Sequence, residues 1–441
     1  MPEGRITGTA GGLPSVYAVD VLASATVGVA TAAVAELQAA RSARPARAFT
    51  VDRQHAAAAF RSERFAAPIG WELPPVWDPI AGDYAAADGW IRVHTNYAHH
   101  RDATLRALGV TATKAEVARA IALRSAEEIE TAIVREGGAA AMQRTAAEWA
   151  AHPQGQAVAA EPLVLAARTP LGAGPRRVRA AAGDEAPLAG VRVLDLTRVI
   201  AGPVATRVLA GYGADVLRID PPGFAEVGAL LPETTAGKRR AALDLRSPEG
   251  RTVFEGLAAE ADLLVCGYRA DALERLGLGV DRLRAANPAL GIVLVDAYGW
   301  SGPWRERRGF DSLVQMSTGI AARGAAAVGA TKPTPLPAQA LDHGAGYLVA
   351  AAACRALTDQ VCSDVATVAR ISLARVARLL EELGTSGDPR APELADAEPW
   401  RERAESAFGP LLRVRCPGSI EGSAPRWVRP AGPLGVDAAR W

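Results

Sequence analysis

The chain has 441 residues, 49% of them hydrophobic and 22% charged, which is enough apolar sequence for two or three domains. Its 49 lysines and arginines nearly balance 48 aspartates and glutamates. The resulting net charge of +1 excludes the strong basic field of a nucleic-acid or anionic-membrane binder. The 4 cysteines form no CxxC pair, so the sequence supports neither a zinc knuckle nor a disulfide framework.

The N-terminus and the hydropathy pattern indicate the compartment. The first residues, MPEGRITGTAGG, contain no apolar stretch of the kind found in a signal peptide. The longest weakly apolar run, from Val21 to Leu37, is alanine-rich and short for a bilayer. We therefore expect a cytoplasmic protein without a membrane partner.

The first part of the chain predicts mixed secondary structure. A long helix begins at Asp20, and a short strand covers Ala48 to Asp52. Residues 61–85 carry several prolines and predict an ordered crossing segment or linker. The run DGWIRVHTNY predicts a turn and a strand. Four short amphipathic helices are predicted after it, at 99–108, 114–123, 125–136 and 143–151.

Strands and helices alternate after residue 190. Residues 168–190 are rich in Gly, Pro, Ala and Arg and mark the best domain boundary. Strands are then predicted in VRVLDLT, ADVLRID, AALDL, ADLLVCGY and GIVLVDAYG, with helices between several of them. This alternation predicts an α/β fold with a parallel sheet covered by helices on both faces.

The segment that begins at Asp20 resembles the segment that begins at Asp342. Each has an aspartate, an alanine-rich helix, a polar connection, a strand and a second alanine-rich helix at similar spacing. This pattern indicates an internal duplication.

Several motifs between residues 187 and 385 resemble the family III CoA-transferases, the CaiB/BaiF group that includes formyl-CoA transferase. The matching runs are PLAGVRVLDLTRVIAGPVATRVLAGYGADVLRID, GKRRAALDLRSPEGR, ADLLVCGYRADALERLGLGVDRLRAANPALGIV, GWSGPWRERRGFDSLVQMSTG and ALDHGAGYLVAAAACRAL, in the family's order. The resemblance implies a Rossmann-like CoA-binding large domain that ends in the catalytic segment.

Residues 13–165 resemble the second half of the same family, which implies a smaller α/β domain. The two halves therefore stand in reversed order, and the catalytic-helix segment occurs twice. The family's assembly implies a homodimer. We assign the domains as a catalytic-helix-like repeat that packs on the large domain (1–60), a small domain with its crossing segment (61–167), a linker (168–187), the large domain (188–385) and a C-terminal tail (386–441).

Asp342 is the residue that the resemblance implies as the nucleophile. Spacing alone favours a helix N-cap, and the resemblance reverses that preference. In the family, this aspartate attacks an acyl-CoA thioester and forms acyl-anhydride and aspartyl-CoA intermediates. We expect an ordinary pKa near ~3.9, a helix N-terminus that stabilises developing oxyanions, and room for the thioester at Gly344 and Gly346. We expect Asp20 to be a degenerate copy or a cap.

The resemblance also implies which residues contact CoA. Phe310 and Asp311 belong to the motif that lines the family's active site, and racemases of this fold carry a histidine where this chain has Phe310. The remaining implied contacts follow the predicted strands and one helix: Val199, Ile200, Leu243, Arg246, Gly267, Tyr268, Arg275 and Leu276. Lys238 and Arg239 either lie near the pantetheine entrance or form structural pairs.

The sequence thus predicts an enzyme that moves CoA from an acyl-CoA donor to a carboxylic acid. No GxGxxG or P-loop is present, and CoA is expected as a substrate, with no permanently bound cofactor. We expect no metal site, with solvated or capping roles for the four histidines His94, His99, His100 and His152. An acyl-CoA racemase or isomerase, disfavoured by Phe310, and a catalytically silent CoA-binding subunit stay open as alternatives.

Overall fold

The computed structural model describes residues 2–171 and 186–441, so most of the predicted linker at 168–187 lies outside the described residues. The strands, in chain order, are β1 (Gly4–Thr7), β2 (Phe49–Asp52), β3 (Ala67–Pro68), β4 (Gly82–Ala85), β5 (Trp90–Val93), β6 (Ala140–Met142), β7 (Leu165–Pro170), β8 (Arg192–Leu196), β9 (Asp215–Asp220), β10 (Arg239–Ala242), β11 (Leu263–Cys266), β12 (Gly291–Asp296), β13 (Val365–Ser372), β14 (Arg401–Ala404), β15 (Leu411–Val414) and β16 (Ser419–Ile420).

The helices, in chain order, are α1 (Val19–Ser42), α2 (Arg53–Ala59), α3 (Ser62–Phe65), α4 (Ala98–Leu108), α5 (Lys114–Ala122), α6 (Ala126–Arg135), α7 (Ala146–Ala151), α8 (Pro153–Ala160), α9 (Ala201–Gly211), α10 (Leu231–Thr234), α11 (Pro248–Glu260), α12 (Ala272–Arg275), α13 (Val280–Ala286), α14 (Asp311–Ser317), α15 (Ile320–Val328), α16 (Ala340–Ser363) and α17 (Leu373–Glu382). Short 3₁₀ turns cover Gly228–Leu230 and Glu398–Trp400.

A seven-stranded sheet in the order β10-β9-β8-β11-β12-β13-β7 organises the described residues. The first six strands of this order are parallel, and β7 runs antiparallel to β13 at the edge. With β8 counted as the first strand, the parallel part has the 3-2-1-4-5-6 order of a doubly wound sheet. The predicted α/β fold with a mostly parallel sheet is confirmed.

Side chains alternate between the two faces of this sheet, as a strand requires. In β8, buried Val193 packs in the core cluster shared with α9 and α16. Its neighbour Leu194 packs in the cluster shared with α11 and α13. Helices therefore cover both faces, and the order of the strands reverses between β8 and β11. Ligands bind at such a reversal in open α/β sheets.

The edge strand β7 was missed by the sequence analysis. Its sequence, LAARTP, has all six residues exposed, so it carries no hydrophobic alternation to detect. It brings residues 168–170, the first three of the predicted linker, into the main sheet, so the linker prediction is wrong for these residues. The segment named as a C-terminal tail likewise forms strands: β14 and β15 form a sheet with β3, and β16 pairs with β2.

A second unit begins with β4, which lies within the last residues of the predicted crossing segment, and contains the sheet β4-β5-β6 and the helices α4 to α6. Two of its helices, α5 and α6, begin after a threonine or serine whose hydroxyl caps the helix. The Ser125 hydroxyl accepts from the amide of Glu128, whose side chain accepts from the Ser125 amide, which is a capping box. The predicted helices at 99–108, 114–123 and 125–136 are confirmed to within one residue at each end. The fourth, predicted from residue 143, begins at Ala146 after the Thr145 cap.

Helices α1 and α16 share their length and the geometry of both ends. Each has 24 residues. The residue before α1, Ala18, has φ −77° and ψ 58°, and the residue before α16, Gln339, has φ −74° and ψ 62°. Both helices end in a left-handed residue with φ 51°, Ala43 and Asp364. A strand and a helix follow each of them, and these matched features support the predicted duplication.

Helix α1 is longer than the apolar run seen in the sequence. By length and composition it could cross a membrane, but 72% of its most apolar window is buried inside the protein. Its buried side chains, including Leu22, Val27 and Leu37, belong to the same core cluster as α16. The hydropathy of α1 therefore reflects its place in the core beside α16.

Candidate functional site

A cleft of about 650 Å³ lies at the carboxyl ends of the parallel strands. Residues that follow β8, β9, β10, β11 and β12 line it, so it spans the reversal point between β8 and β11. Tyr97, His99 and His100, from the start of α4, line the same cleft. Both halves of one chain thus contribute to a single cleft.

Most of the predicted site residues line this cleft. They are Val199, Ile200, Leu243, Arg246, Gly267, Tyr268, Leu276, Phe310 and Asp342. Arg275 and Asp311 are not among the lining residues. The Arg275 side chain is 64% exposed and pairs with Asp271 on its own helix. Arg246, at the mouth, pairs with Asp244 at 2.9 Å.

Asp342 lies in the first turn of α16 and is 7% exposed, at the wall of the cleft. The N-cap interpretation is wrong, because Gln339 holds that position and the α16 amides are capped from another helix. The Asp311 carboxylate Oδ2 accepts hydrogen bonds from the amides of Leu341 at 2.8 Å and Asp342 at 3.0 Å. In the described part of the chain, no hydrogen bond reaches the Asp342 carboxylate, which leaves it free for a ligand.

Asp311 is 1% exposed and sits behind Asp342. Besides the two amides, its Oδ1 accepts from the side-chain amide of Gln315 on the same helix. The Gln315 Oε1 in turn accepts from the Leu336 amide at 2.7 Å. Asp311 therefore joins α14, the segment before α16 and the start of α16. The expectation that Asp311 lines the cleft is corrected to a position one layer behind it.

The ionisation of these two carboxyls departs from the expectation. Burial raises the pKa of Asp342 well above its usual value, and the charges of Asp311 and Glu63 raise it further. Burial also raises the pKa of Asp311 to about 6, against the lowering effect of the hydrogen bonds that it accepts. The expected ordinary pKa of Asp342 is wrong, because its carboxyl is enclosed among apolar helices and other acids.

The two glycines after Asp342 serve helix packing. A Cβ on Gly346 would lie 2.7 Å from the carbonyl oxygen of Ala201 in α9, and one on Gly344 would lie 3.2 Å from Val376 in α17. The expectation that they leave room for a thioester is wrong. They allow α9 and α17 to approach the helix that carries Asp342.

The connection from β8 to α9 is strained where it enters the cleft. Val199 has φ 63°, a left-handed conformation that is an outlier for a β-branched residue. A buried network of hydrogen bonds and an ion pair, centred on Asp195 in β8, stabilises this connection. The Asp195 carboxylate accepts from the amide of Thr197 at 2.9 Å and from Lys238 Nζ at 2.9 Å. Lys238 and Arg239 are thus structural: Arg239 pairs with Asp215 at 2.7 Å.

Arg198 forms a stack at one wall of the cleft. Its guanidinium carbon lies 3.6 Å from the ring centroid of Phe224 and 5.0 Å from that of Tyr268. The guanidinium also donates to the Tyr268 hydroxyl at 3.4 Å. Flat faces and a positive charge therefore meet at the ends of β8, β9 and β11, a surface suited to a heteroaromatic base and its phosphates.

Two of the four histidines of the second unit differ from their expected solvated or capping roles. His94 and His100 are buried, and burial lowers the pKa of each to about 3. The His94 ring stacks on Phe310 with centroids 3.6 Å apart, and His100 contacts the edge of the same ring at 5.7 Å. His99 is exposed, and His152 caps a helix by accepting from the Gln154 amide at 3.0 Å, so both have the expected roles.

Tyr97 fastens this unit to the main sheet. Its hydroxyl donates to Glu226 at 2.6 Å, and Glu226 also accepts from Arg218 in β9 at 3.0 Å. The sequence analysis missed Tyr97, His99 and His100 as cleft residues. Their one available signal was their place directly after the β5 strand in the motif DGWIRVHTNYAHH.

Asp20 lies outside the cleft lining. Its carboxylate accepts from the Leu13 amide at 3.2 Å, and burial raises its pKa. The structure therefore places Asp20 as a structural acceptor at the start of α1.

Part of the chain is similar to known proteins. Residues 188–384 match the model of CoA-transferase family III. Over 204 residues the chain is 33% identical to a Mycobacterium tuberculosis protein named "Probable fatty acyl-CoA transferase", covering 43% of this chain and 51% of that protein. Over 148 residues it is 35% identical to a succinyl-CoA–D-citramalate CoA-transferase of Chloroflexus aurantiacus, covering 31% and 37% of the two chains.

Among solved structures, a crystal structure of a hypothetical protein from Mycobacterium tuberculosis is 32% identical to the chain, with a TM-score of 0.41, covering 45% of this chain and 58% of that one. The chain spans about half the length, or less, of the curated relatives described above.

Proposed function

We propose that this protein moves CoA from an acyl-CoA donor to a carboxylic acid acceptor, because residues 188–384 match the model of CoA-transferase family III. The observation that carries the proposal is the placement of Asp342. Its carboxylate lines the cleft at the reversal point of the sheet, while Asp311 occupies the helix amides that Asp342 could otherwise cap. CoA is substrate and product in this reaction.

Asp342 acts as the nucleophile in the proposed cycle. Its carboxylate attacks the thioester carbonyl, the C–S bond breaks, and CoA leaves as a thiolate, which gives a mixed anhydride. The thiolate attacks the aspartyl carbonyl and releases the donor's carboxylate, which leaves an aspartyl-CoA thioester. The acceptor carboxylate attacks this thioester and frees CoA thiolate again. The thiolate then attacks the acceptor's acyl carbonyl, which forms the new acyl-CoA and restores Asp342.

The raised pKa of Asp342 makes the rate of the proposed cycle depend on pH. The Asp342 carboxyl must be ionised to attack, so its raised pKa limits the fraction of active enzyme at low pH. We expect the rate to fall on the acidic side with an apparent pKa above the ordinary value for aspartate.

The cleft offers matching positions for CoA. We propose that the adenine lies against Tyr268 and the Arg198 stack, with Leu243 and Leu276 as apolar neighbours and Arg246 near a phosphate. Val199, Ile200 and Gly267 would present backbone along the pantetheine path. Since Tyr97, His99 and His100 close the same cleft from the other half, we propose that one chain contains a complete site. The expected homodimer stays a prediction.

One observation favours a second candidate, proton exchange at the α-carbon of an acyl-CoA. Although Phe310 replaces the histidine of the racemases, His100 lines the cleft beside that phenylalanine. Its lowered pKa of about 3 makes it a weak base, so CoA transfer is the better-supported function.

A substrate panel tests the proposal. Acyl-CoA donors labelled in the CoA moiety are mixed with candidate carboxylic acids in deuterium oxide, and the new thioesters are resolved by chromatography with mass detection. CoA transfer predicts labelled acceptor-CoA that Asp342→Ala abolishes and Asp20→Ala retains. Deuterium at the α-carbon without movement of CoA would replace the proposal with the second candidate. Loss of transfer only in Asp20→Ala would overturn the assignment of the nucleophile.

A further inference from the structure

The N-terminal half of the chain contacts the start of α16 on the side away from the cleft. Glu63, in the short helix α3, lies 3.0 Å from the Nε2 of His343 through its Oε2. The two side chains are 13% and 1% exposed. His343 directly follows Asp342 in the chain, so this contact is one residue from the proposed nucleophile.

The same N-terminal segment makes further contacts around this pair. The Phe60 ring stacks on His343, with centroids 5.3 Å apart, and on Tyr347, at 5.9 Å. Arg64 donates to the carbonyl of Pro337, just before α16, at 3.2 Å. These contacts hold the segment that precedes α16 and the first two turns of α16 against the N-terminal half of the chain.

Because Asp342 and His343 are adjacent on one helix, the contact of His343 with Glu63 also restricts the direction of the Asp342 side chain. Consecutive residues of an α-helix point about 100° apart, so Asp342 can face the cleft while His343 faces the N-terminal half. Asp311 holds the amides at the helix start, and Glu63 holds the imidazole ring one residue later. Two independent anchors therefore define the first turn of α16.

We propose that Glu63 is a positioning residue for Asp342: by holding His343, it fixes the turn of helix that aims the carboxylate into the cleft. This inference rests on the proposed function of Asp342. It assigns a role to the first half of the chain in the chemistry of the second half. Removal of the Glu63 carboxyl should affect the chemical step more than the binding of acyl-CoA, because Glu63 does not line the cleft.

The negative charge of Glu63 also raises the pKa of Asp342, so the titration of Asp342 provides a second test of the proposal. The groups whose charges act on the Asp342 carboxyl are Asp311 from α14 and Glu63 from α3, both of which raise its pKa, while His343 and Arg207 lower the pKa of Glu63. Glu63→Gln keeps an oxygen that can accept from His343 and removes one negative charge. The pKa of Asp342 should therefore fall in Glu63→Gln.

The test compares Glu63→Ala and Glu63→Gln with the wild type and with Glu402→Gln. Glu402 is a matched control, because it pairs with the buried Arg413 at 2.9 Å in the sheet β14-β15-β3, away from the cleft lining. We expect Glu63→Ala to lower kcat about tenfold or more, with KM for acyl-CoA within about threefold. Glu63→Gln should restore most of kcat and shift the acidic limb of the pH profile to lower pH.

A measurement that needs no turnover separates the positioning role of Glu63 from the proposed CoA-transfer activity. In protein labelled with ¹³C at the aspartate carboxyls, the Asp342 resonance is assigned by its loss in Asp342→Asn, and its titration is followed in each variant. We expect a lower apparent pKa in Glu63→Gln and no shift in Glu402→Gln. A wild type without CoA transfer would overturn the proposed function. An active wild type, with kcat retained in Glu63→Ala and an unchanged Asp342 titration in Glu63→Gln, would overturn this inference alone.

Discussion

Replacement of Asp311 by asparagine should change how the stability of the protein depends on pH. The pKa of this carboxyl is raised from 3.8 to about 6 in the folded protein. Below the lower value the carboxyl is protonated in both states and contributes nothing. Between the two values the unfolded chain releases its proton while the folded protein keeps it, so the free energy of unfolding falls as pH rises. Above the higher value the loss is complete.

The magnitude follows from the size of the shift. About two pH units at roughly 1.4 kcal/mol each give a loss of about 3 kcal/mol between pH 4 and pH 7. Asparagine does not titrate, yet its side-chain oxygen can still accept from an amide at the start of α16. The variant should therefore gain stability relative to its parent by up to about 3 kcal/mol across this range.

Urea unfolding at a series of pH values measures the effect. The comparison is made in Asp342→Asn, so that the neighbouring carboxyl does not titrate in the same range. The double variant Asp311→Asn with Asp342→Asn should show a flatter profile than Asp342→Asn alone. Parallel profiles for the two proteins would refute the reasoning, because Asp311 would then have the same pKa in the folded and unfolded chains.

Three further substitutions test separate parts of the structure. Lys238→Met leaves the buried Asp195 without its cation and should lower the free energy of unfolding by about 3 kcal/mol or more in urea titrations. Tyr97→Phe removes the 2.6 Å hydrogen bond to Glu226, so we expect a loss of about 1–2 kcal/mol in the same titration and a several-fold higher KM for acyl-CoA. Gly346→Ala forces α9 away from α16 and should cost about 1–3 kcal/mol; wild-type stability in this variant would contradict the packing role.

The regular elements of the fold could be predicted because their signals are local. A buried strand such as β11 is a continuous apolar run, and helices such as α6 begin at a serine followed three residues later by glutamate. The edge strand β7 could not be predicted, since its six residues are exposed and pair only with β13, almost two hundred residues later in the chain. Its register depends on tertiary contacts.

The candidate site was predictable where it follows a family motif and unpredictable where it depends on contacts between segments. Asp342 and most of the positions that we propose for CoA carry motif signals. The capping of α16 by Asp311, the contact of Glu63 with His343 and the placement of Tyr97 in the cleft join residues far apart in sequence. The pKa of Asp342 depends on this enclosure, which no local pattern of residues contains.

Trapping of the aspartyl intermediate tests the central claim most directly. The protein is mixed with an acyl-CoA, treated with hydroxylamine, and digested, and the peptide that contains Asp342 is examined by mass spectrometry. Attack at an activated aspartyl carbonyl predicts a hydroxamate on Asp342 that forms only when acyl-CoA is present, and none on the matching peptide around Asp20. An unmodified Asp342 peptide from protein that is transferring CoA would contradict the account.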